Sequence, residues 1–530
     1  MKKLLIYIMM AAVISACDSD FLKEYSQDLS RVQTAEDLNE LLMGDCILPL
    51  GYFTLANSMY QYENPNFWVV HFMGDELQEN LQISEDGDYI GSRSLMYPFF
   101  TWQQDCFVDK ENKSSMESEE ASYWSLAYQK LNNCNMVIDA GEDMTCDEEE
   151  DETLRQQVLG ECYFLRANYY FMLANLYGRP YDPQTADETP CVPIKTSASV
   201  EDREFQRSSV AEVYSLILSD LDQAEAYLSG KQNANIYHVG TLAVYIFRSR
   251  IHLFLQQWAE AKRYAGLALA ENDKLIDLSV WGTLASSFPI DASNEEVVYS
   301  NGSTCLGNML FQSPSTRSSS SDYTPVYSIS DHLSGLYSRT DARSWTYITT
   351  RADLTKHTYT YHKIDNSTRS FGRYKDVSDV FSLRTAEAYL NLAEAEAQLG
   401  NDGEACRWLD ALREKRLTSP DHVSLSGADL ITFVREERER ELCLEGHRWF
   451  DLRRYMVDPR YPFTTTIEHT MSWFTSTNNR YNVLAYTRYY RLSPGDDAYT
   501  LNIPKTVRDF QLSIGENPRP ERLPFDTKVY

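Results

Sequence analysis

Residues 430–455 read LITFVREERERELCLEGHRWFDLRRY, a run of alternating charge followed by a glycine and a second charged, aromatic run. The first half predicts a charged helix, in which Glu436 and Arg440 have the i,i+4 spacing that favours an ion pair. Gly446 predicts a helix end or a bend. Acidic and basic side chains at such a corner more often form structural ion pairs than a catalytic dyad. The segment is therefore predicted to be scaffold rather than an active site.

Helical periodicity extends through much of the remaining chain, with apolar residues at three- and four-residue spacing. Gly178 is expected to end a helix over residues 154–178, and Ser208 or Ser209 is expected to cap a helix over residues 210–228. The acidic stretch 146–152 is either a solvated loop or a helix start. The three long helices predicted on this basis are residues 123–141, 154–178 and 210–228.

Two segments, 245–269 and 389–416, each predict a pair of helices joined by a tight turn, which Gly400 supplies in the second. Small residues recur at matching positions, Ser249 and Ala261 in the first pair and Ala393 and Ala405 in the second. This spacing resembles the tetratricopeptide repeat, although generic antiparallel helix pairs would also satisfy it. The predicted fold class is mainly α, a tetratricopeptide-like scaffold of helix pairs with long loop-rich insertions and a few short strands.

The N-terminus has the organisation of an export signal. MKK supplies a basic start, LLIYIMMAAVI an apolar segment too short for a permanent membrane span, and ISAC a small-residue cleavage site. A cysteine directly after Ser-Ala resembles a bacterial lipobox, with an ordinary secretory signal as the alternative. Residues 1–16 are therefore predicted to be a signal peptide, Cys17 the lipidated first residue of the mature chain, and residues 17–40 a lipidated tether.

The bulk composition indicates a globular protein, because 43% of the 530 residues are hydrophobic and 24% are charged. A net charge of −29 excludes nucleic acid as a partner and argues against an anionic membrane face or a polyanionic ligand. A neutral ligand, a cation or a protein partner remains compatible with this charge.

Motifs of catalysis and metal binding are lacking in the sequence. The nine cysteines besides Cys17 are scattered without CxxC spacing, so neither a disulfide framework nor a thiolate zinc site is indicated. GxSxG, HExxH, P-loop and dinucleotide fingerprints do not occur. Asp75, Glu76 and Glu79 could be proposed as paired carboxylates, but such clusters arise freely among 78 acidic residues. The sequence predicts no catalytic residue, no cofactor and no metal site, and it does not predict an enzyme.

A specific family resemblance rests on residues 440–453. The chain has Arg440–Glu441–Leu442 and then EGHRWFDLR, from Glu445 through Arg453. This order, Arg-Glu-Leu followed by Glu-Gly-x-Arg-x-Phe-Asp-Leu and a further arginine, resembles the signature of the SusD/RagB family. The positions that carry this structural signature are Arg440, Glu445, Gly446, Arg448, Phe450, Asp451 and Arg453. Weaker islands agree in order along nearly the whole chain, at residues 124–135, 164–178, 383–400 and 499–518.

The resemblance implies an outer-membrane surface lipoprotein on a tetratricopeptide-like scaffold, lipid-anchored and facing the cell exterior. Family members bind glycans, or sometimes peptides, and associate with a SusC-like TonB-dependent transporter. The expected function is thus non-catalytic capture of a neutral oligosaccharide or polysaccharide and its delivery to such a transporter. The alternative is a helical-repeat lipoprotein that binds a peptide or protein.

The expected ligand surface lies in two polar, aromatic segments. One is residues 57–105, within an N-terminal helical region 41–272, and the other is a loop-rich insert 273–380, ahead of a C-terminal helical region 381–530. A sugar needs flat aromatic platforms with polar groups at their edges. The candidate ligand contacts are Asp75, Tyr89, Arg93, Tyr97, Trp102, Trp281, Tyr323, Tyr327 and Trp345.

Overall fold

The computed structural model describes only part of the chain. Cys17, Tyr89 and Tyr323 lie outside the described residues, as do the predicted signal peptide and most of the tether, and the side chain of Arg93 is not described. The described residues are 32–47, 69–80, 92–106, 123–281, 288–301, 306, 310, 327–350, 359–364, 377–477 and 481–530, without the side chains of 92–95, 350, 360, 476, 477, 481 and 482.

Helices dominate the described residues. A π-helical turn, Leu42–Cys46, continues the first helix, and none of the described helices is long and apolar enough to cross a membrane. The α-helices are α1 Ala35–Leu41, α2 Val70–Met73, α3 Ser92–Phe100, α4 Tyr123–Glu142, α5 Glu149–Tyr177, α6 Val210–Tyr227, α7 Thr241–Phe254, α8 Trp258–Glu271, α9 Asp331–Gly335, α10 Arg343–Thr346, α11 Thr385–Gln398, α12 Asp402–Glu414, α13 Gly427–Leu442, α14 Arg448–Met456 and α15 Lys505–Phe510.

The predicted helices 123–141, 154–178 and 210–228 correspond to α4, α5 and α6, and their ends follow local chemistry. Ser209 caps α6 through a capping box, in which its hydroxyl accepts from the Glu212 amide and its own amide donates to Glu212. Helix α5 begins earlier than predicted, because the acidic stretch forms its first turn, where negative charge is favourable.

The two predicted helix pairs are α7–α8 and α11–α12, and they pack side by side through α8 and α11. The small residues lie at the close approaches and are fully buried. Polar contacts link the pairs: the amide of Asn391 donates to the Ser249 hydroxyl at 2.7 Å, and Arg250 of α7 forms a bidentate pair with Glu387 of α11 at 2.6 Å for each bond. Gly400 makes the turn of the second pair with φ +80, a conformation that favours glycine. The tetratricopeptide-like arrangement is confirmed.

Strands are short except near the C-terminus. β1–β3, β2–β6 and β4–β5 form antiparallel two-stranded pairs, and β7–β8–β9 form a three-stranded antiparallel sheet. The strands are β1 Leu77–Glu79, β2 Val297–Tyr299, β3 Tyr327–Ile329, β4 Ile348–Thr350, β5 Tyr359–Tyr361, β6 Leu383–Arg384, β7 Ile467–Thr477, β8 Tyr481–Leu492 and β9 Asp526–Val529.

The long hairpin β7–β8 was not expected within the C-terminal region 381–530, which also contains helices α11–α15. Its strands are rich in Thr and Tyr, which suit a pleated surface. The register shifts between Trp473 and Phe474, so a bulge interrupts the alternation that would have indicated a strand.

Helix α5 is the centre of the hydrophobic core. Its residues from Phe164 to Tyr177 are all buried, and it packs against α4 and α6. Arg166 is a charged residue within this buried stretch, and it forms a bidentate pair with Asp220 of α6 at 2.7 and 2.9 Å. The core is continuous from this helix to the corner between α13 and α14, on which the candidate site rests.

Candidate functional site

The corner between α13 and α14 is held by buried ion pairs that converge on Glu441. One carboxylate oxygen accepts from Arg343 at 3.0 Å and from Arg416 at 2.9 Å. The other accepts from Arg384 at 3.1 Å and from the Tyr347 hydroxyl at 3.0 Å. Burial alone would raise the pKa of Glu441, but the Arg416 and Arg384 guanidiniums hold it well below its usual range.

Glu445, one turn further on, repeats the arrangement. It accepts a bidentate pair of hydrogen bonds from Arg384, at 2.6 and 2.9 Å, and it also contacts the Lys363 ammonium. Although burial opposes ionisation, Arg384 and Lys363 lower the pKa of Glu445 to about 2. The neighbouring Gly446 has φ +80, which lets the chain turn into α14.

The charges of α14 extend the same network. Asp451 accepts from Arg438 at 2.7 Å and from Arg454 at 2.8 Å, and Arg448 forms a bidentate pair with Asp75 at 2.7 Å for each bond. The signature residues Arg440, Glu445, Gly446, Arg448, Phe450, Asp451 and Arg453 are thus buried or half-buried parts of the scaffold. Arg440, Glu445, Arg448 and Asp451 form ion pairs there, whereas Arg453 donates to the Gly178 carbonyl.

Three of the candidate ligand contacts, Tyr97, Trp102 and Tyr327, are buried in the interior and do not form the expected ligand surface. Asp75 is half-buried, and its carboxylate is paired with the Arg448 guanidinium. Trp102 is 0% exposed, donates its indole N–H to the Met73 carbonyl at 2.9 Å and stacks on His469. A side chain enclosed in this way offers no face to a sugar.

The tyrosines of this group are equally enclosed. Tyr97 is 8% exposed, and its hydroxyl lies 3.2 Å from that of Tyr490. Tyr327 is 0% exposed and meets the rings of Phe72 and Phe100 edge-on at 5.0 and 4.9 Å. Pairing of β1 with β3 does bring the two predicted segments together, but it joins them as core rather than as an open ledge.

Trp281 and Trp345 are the aromatic candidate contacts that are half-buried among the residues that the structure describes. Trp345 lies on α10, and its indole N–H donates to the Trp281 carbonyl at 3.3 Å. Beside α10, Phe288 and His362 form a second pair of half-buried rings with centroids 4.7 Å apart, and His362 Nδ1 lies 3.3 Å from the Thr346 carbonyl. These four residues are named here the α10 aromatic cluster.

Sequence reasoning missed Phe288 and His362 as members of this cluster. Phe288 follows Trp281 by seven positions within the insert, and His362 ends the alternating run that forms β5. The chain folds them together because the His362 amide donates to the Tyr347 carbonyl at 2.8 Å, directly after α10. The available signal was the density of rings in the insert, which does not specify which rings become neighbours.

Buried charges fix the support of the α10 aromatic cluster. Arg343, the first residue of α10, pairs with Asp341 at 2.8 and 2.9 Å and with Glu437 at 2.7 Å. Arg416 donates to the Ile276 carbonyl at 2.6 Å, and the Leu278 amide donates to the Lys415 carbonyl at 2.8 Å. These bonds tie the segments that carry Trp345 and Trp281 to the corner between α13 and α14, so the contact between them is preorganised.

Polar groups lie close to the cluster along the chain. The Lys415 ammonium pairs with Asp277 at 3.0 Å, and both side chains are partly exposed. Asp277 also accepts from the Ser279 amide at 3.1 Å, and the Ser344 hydroxyl lies next to Trp345 in sequence. Flat rings can hold the C–H face of a sugar, and polar side chains near them can hydrogen-bond the hydroxyls at its rim.

Two family models match the chain. Residues 326–511 match the SusD family, and residues 75–253 match the model described as starch-binding, associating with the outer membrane. The chain belongs to the SusD/RagB family, a family of glycan-binding proteins associated with the outer membrane.

Curated relatives are distant. SusD-like protein P38 of Formosa agariphila is 25% identical over 356 residues, which are 56% of this chain and 66% of that protein. The chain therefore matches just under two thirds of that relative's length. SusD-like protein P25 of the same organism is 23% identical over 397 residues, 63% of this chain and 70% of that protein.

Solved structures share the fold along nearly the whole chain. A SusD superfamily protein from Bacteroides thetaiotaomicron superposes with a TM-score of 0.67 at 19% identity, covering 92% of this chain and 100% of its own. A SusD-like carbohydrate binding protein from Bacteroides vulgatus gives 0.64 at 19% identity, covering 91% and 98%. Surface glycan-binding protein A from Bacteroides fluxus gives 0.63 at 15% identity, covering 92% and 100%.

Proposed function

We propose that this chain is a non-catalytic, cell-surface lipoprotein that captures a neutral oligosaccharide or polysaccharide and delivers it to a SusC-like TonB-dependent transporter. The observation that carries the proposal is the α10 aromatic cluster, which is half-buried and rigidly supported in a chain of a glycan-binding family. Surface glycan-binding protein A, by its name, binds glycans, and its fold is shared by this chain.

The physical basis of capture is stacking on a preformed surface. A pyranose presents a face of C–H groups, which is attracted to an aromatic ring, and hydroxyls that need polar partners. Rings already held in place lose little conformational entropy on binding, so a modest contact area suffices for retention. Tyr89 and Tyr323, together with Arg93, are proposed as further ligand contacts outside the described residues and side chains.

The test of the site is retention of the protein in an affinity gel that contains a polysaccharide with demonstrated binding. Trp345→Ala and Trp281→Ala are each expected to weaken retention at least tenfold, the loss of roughly 1.4 kcal/mol of binding. Trp408→Ala is the matched control, because Trp408 is also half-buried, on α12, where it packs edge-on against Tyr389. Unchanged retention in both site variants, with normal thermal unfolding, would reject this site.

A second experiment separates glycan capture from the peptide-binding alternative. The purified protein is applied in parallel to a glycan array and to a peptide pool. Binding to neutral glycans that Trp345→Ala abolishes supports the proposal, whereas binding confined to peptides contradicts it. Release of soluble products from the bound polysaccharide during long incubation would contradict the non-catalytic assignment.

Anchoring and partnership are tested in the producing cell. Lipidation at Cys17 predicts that Cys17→Ala moves the protein from the membrane fraction to a soluble fraction and abolishes incorporation of a labelled fatty acid. Partnership with a transporter predicts that the anchored protein co-purifies with a large TonB-dependent β-barrel. Wild-type protein that carries no fatty acid would refute the anchor, and isolation without such a transporter would refute the partnership.

A further inference from the structure

Three cysteines far apart in sequence meet in the core. Cys46 ends the π-helical turn after α1, Cys134 lies in α4 and Cys162 in α5. All three are 0% exposed, and their Sγ atoms lie within 4.8 Å of one another. None of the three is in a disulfide.

The backbone around this group is fixed by hydrogen bonds from both helices. The Asp45 carbonyl accepts from the Lys130 ammonium at 2.7 Å and from the Asn133 amide at 2.9 Å. The Cys46 carbonyl accepts from the Tyr169 hydroxyl at 2.6 Å. Cys46 is therefore held against the two helices by contacts that do not involve its sulfur.

The spacing of the sulfurs fits a shared metal ion. Thiolates bind first-row metals such as zinc at about 2.3 Å, so the sulfurs of three thiolates around one ion lie roughly 4 Å apart. A disulfide would instead require a sulfur–sulfur distance of about 2.05 Å. Three buried sulfurs are soft ligands, which select thiophilic metals over calcium or magnesium.

We propose that Cys46, Cys134 and Cys162 form a buried three-thiolate site for one Cu(I) ion. Structural zinc is held by four ligands, whereas the group of His, Cys, Asp and Glu side chains that meets here contains three residues in the part of the chain that the structure describes. Cu(I) is stable with three sulfur ligands. Binding replaces the thiol protons, which leave to solvent, and the copper keeps its oxidation state.

The site would pin the N-terminal segment to the body of the protein. Helix α1 begins at Ala35, inside the stretch 17–40 that was predicted to be the tether, and it packs together with the π-helical turn on α4 and α5. A metal that joins the turn to both helices closes long loops of the chain and stabilises the folded state by binding it selectively. The metal site would lie at the point where the N-terminal segment joins the globular body, so it would resist separation of the two.

The test is an anaerobic titration of the reduced whole chain with Cu(I) against a competing chromophoric chelator. One tightly held equivalent is expected, with thiolate-to-metal absorption in the near ultraviolet and a raised unfolding temperature. Cys46→Ala, Cys134→Ala and Cys162→Ala should each abolish that equivalent. Cys191→Ala, at a fully buried cysteine elsewhere in the core, is the matched control and should retain it.

A measurement on the unmodified protein covers the case in which the alanine variants do not fold. X-ray absorption of the one-equivalent copper complex is expected to show three sulfur atoms at a single distance. A parallel titration with Zn(II) should give weaker binding that the chelator removes. Fewer than three sulfurs around copper, tighter binding of zinc, or a disulfide between any two of these cysteines in the exported protein would each overturn the proposal.

Discussion

Glu441 carries its negative charge at a point where the guanidinium groups of Arg343, Arg384 and Arg416 meet, all of them with fully buried side chains. Removing these ions from water costs several kcal/mol each, which only close and well-oriented pairing can offset. The carboxylate is thus needed to keep the arginines buried, and the arginines in turn hold α10 and its tryptophan. Glu441 therefore acts on the geometry of the scaffold.

Neutralising Glu441 tests this account. Glu441→Gln keeps the shape of the side chain but leaves the three buried cations facing an uncharged amide. We expect the free energy of unfolding, measured by urea titration, to fall by about 3–5 kcal/mol. Glu436→Gln is the control on the same helix, because Glu436 is 43% exposed in its pair with Arg440 and should cost less than about 1 kcal/mol. Equal effects of the two substitutions would refute the network.

His469 provides a pH dependence at the same scale. It stacks between Phe100 and Trp102 at 4.0 and 4.5 Å, and its Nδ1–H donates to the Phe100 carbonyl at 2.6 Å. Burial lowers the pKa of His469 to about 4. The unfolded histidine, with a pKa near 6.5, takes up its proton first as the pH falls, so the stability that the neutral ring contributes is lost between about pH 6.5 and 4.

The measurement compares wild type with His469→Gln, which cannot titrate. The stability advantage of wild type should shrink by about 2 kcal/mol between pH 7 and pH 5, as measured by urea unfolding at each pH. His422→Gln serves as control, since the His422 side chain is 96% exposed and its replacement should follow wild type at both values. A difference between wild type and His469→Gln that stays constant with pH would contradict the assigned burial.

Single residues also show where prediction from sequence fails. Trp102 and Trp345 stand in similar polar, aromatic surroundings in the sequence, yet one is enclosed and the other is half-buried. Trp102 is covered by His469, more than three hundred residues later in the chain. No local pattern carries that information, and therefore only the type of site, not its members, could be predicted.

At the scale of elements, the turn between α13 and α14 depends on one backbone conformation. Gly446 has φ +80, and a Cβ built at that position would lie 3.2 Å from Cγ1 of Val380. An alanine would thus meet both an unfavourable dihedral and a crowded neighbour. The same turn brings Glu445 to Arg384, so a shift of the backbone would also disturb the ion pairs.

Gly446→Ala is therefore expected to lower the free energy of unfolding by about 1–3 kcal/mol. Gly266→Ala is the control within helix α8, where a Cβ meets nothing within 4 Å. It should leave stability unchanged or raise it by up to about 1 kcal/mol, because alanine favours the helix. Gly446→Ala should therefore lower the urea midpoint, whereas Gly266→Ala should leave it unchanged or raise it. A loss of stability in both variants would contradict this account of the turn.

The elements themselves were predictable where the signal was local. Ser209 and Gly400 fixed the ends of helices through contacts within four residues, and the helix-pair spacing was visible in small residues. The hairpin β7–β8 escaped because its bulge at Trp473 breaks the alternation. Its pairing is also a property of two strands together, which neither strand shows alone.

At the scale of the whole molecule, contacts between distant parts of the chain decide what the surface offers. The three cysteines of the proposed copper site come from positions 46, 134 and 162, without the short spacing by which metal motifs are recognised. The α10 aromatic cluster likewise draws on three separate stretches of the insert. Composition indicated that rings and thiols were available, but only the packing of the helices selects which of them meet.

The net charge of −29 sets how the whole molecule should respond to salt. Stacking of a neutral sugar on rings involves no ion pair, so retention of a neutral polysaccharide in the affinity gel should change less than about twofold between 50 and 500 mM NaCl. A polyanionic glycan should be repelled at low salt and should gain at most weak retention as screening increases. Trp345→Ala, run at both salt concentrations, is expected to lose retention equally in each, because the contact that it removes is uncharged. Retention that falls steeply as salt is added would show instead that charged contacts hold the ligand, and the α10 aromatic cluster would then not be its principal site.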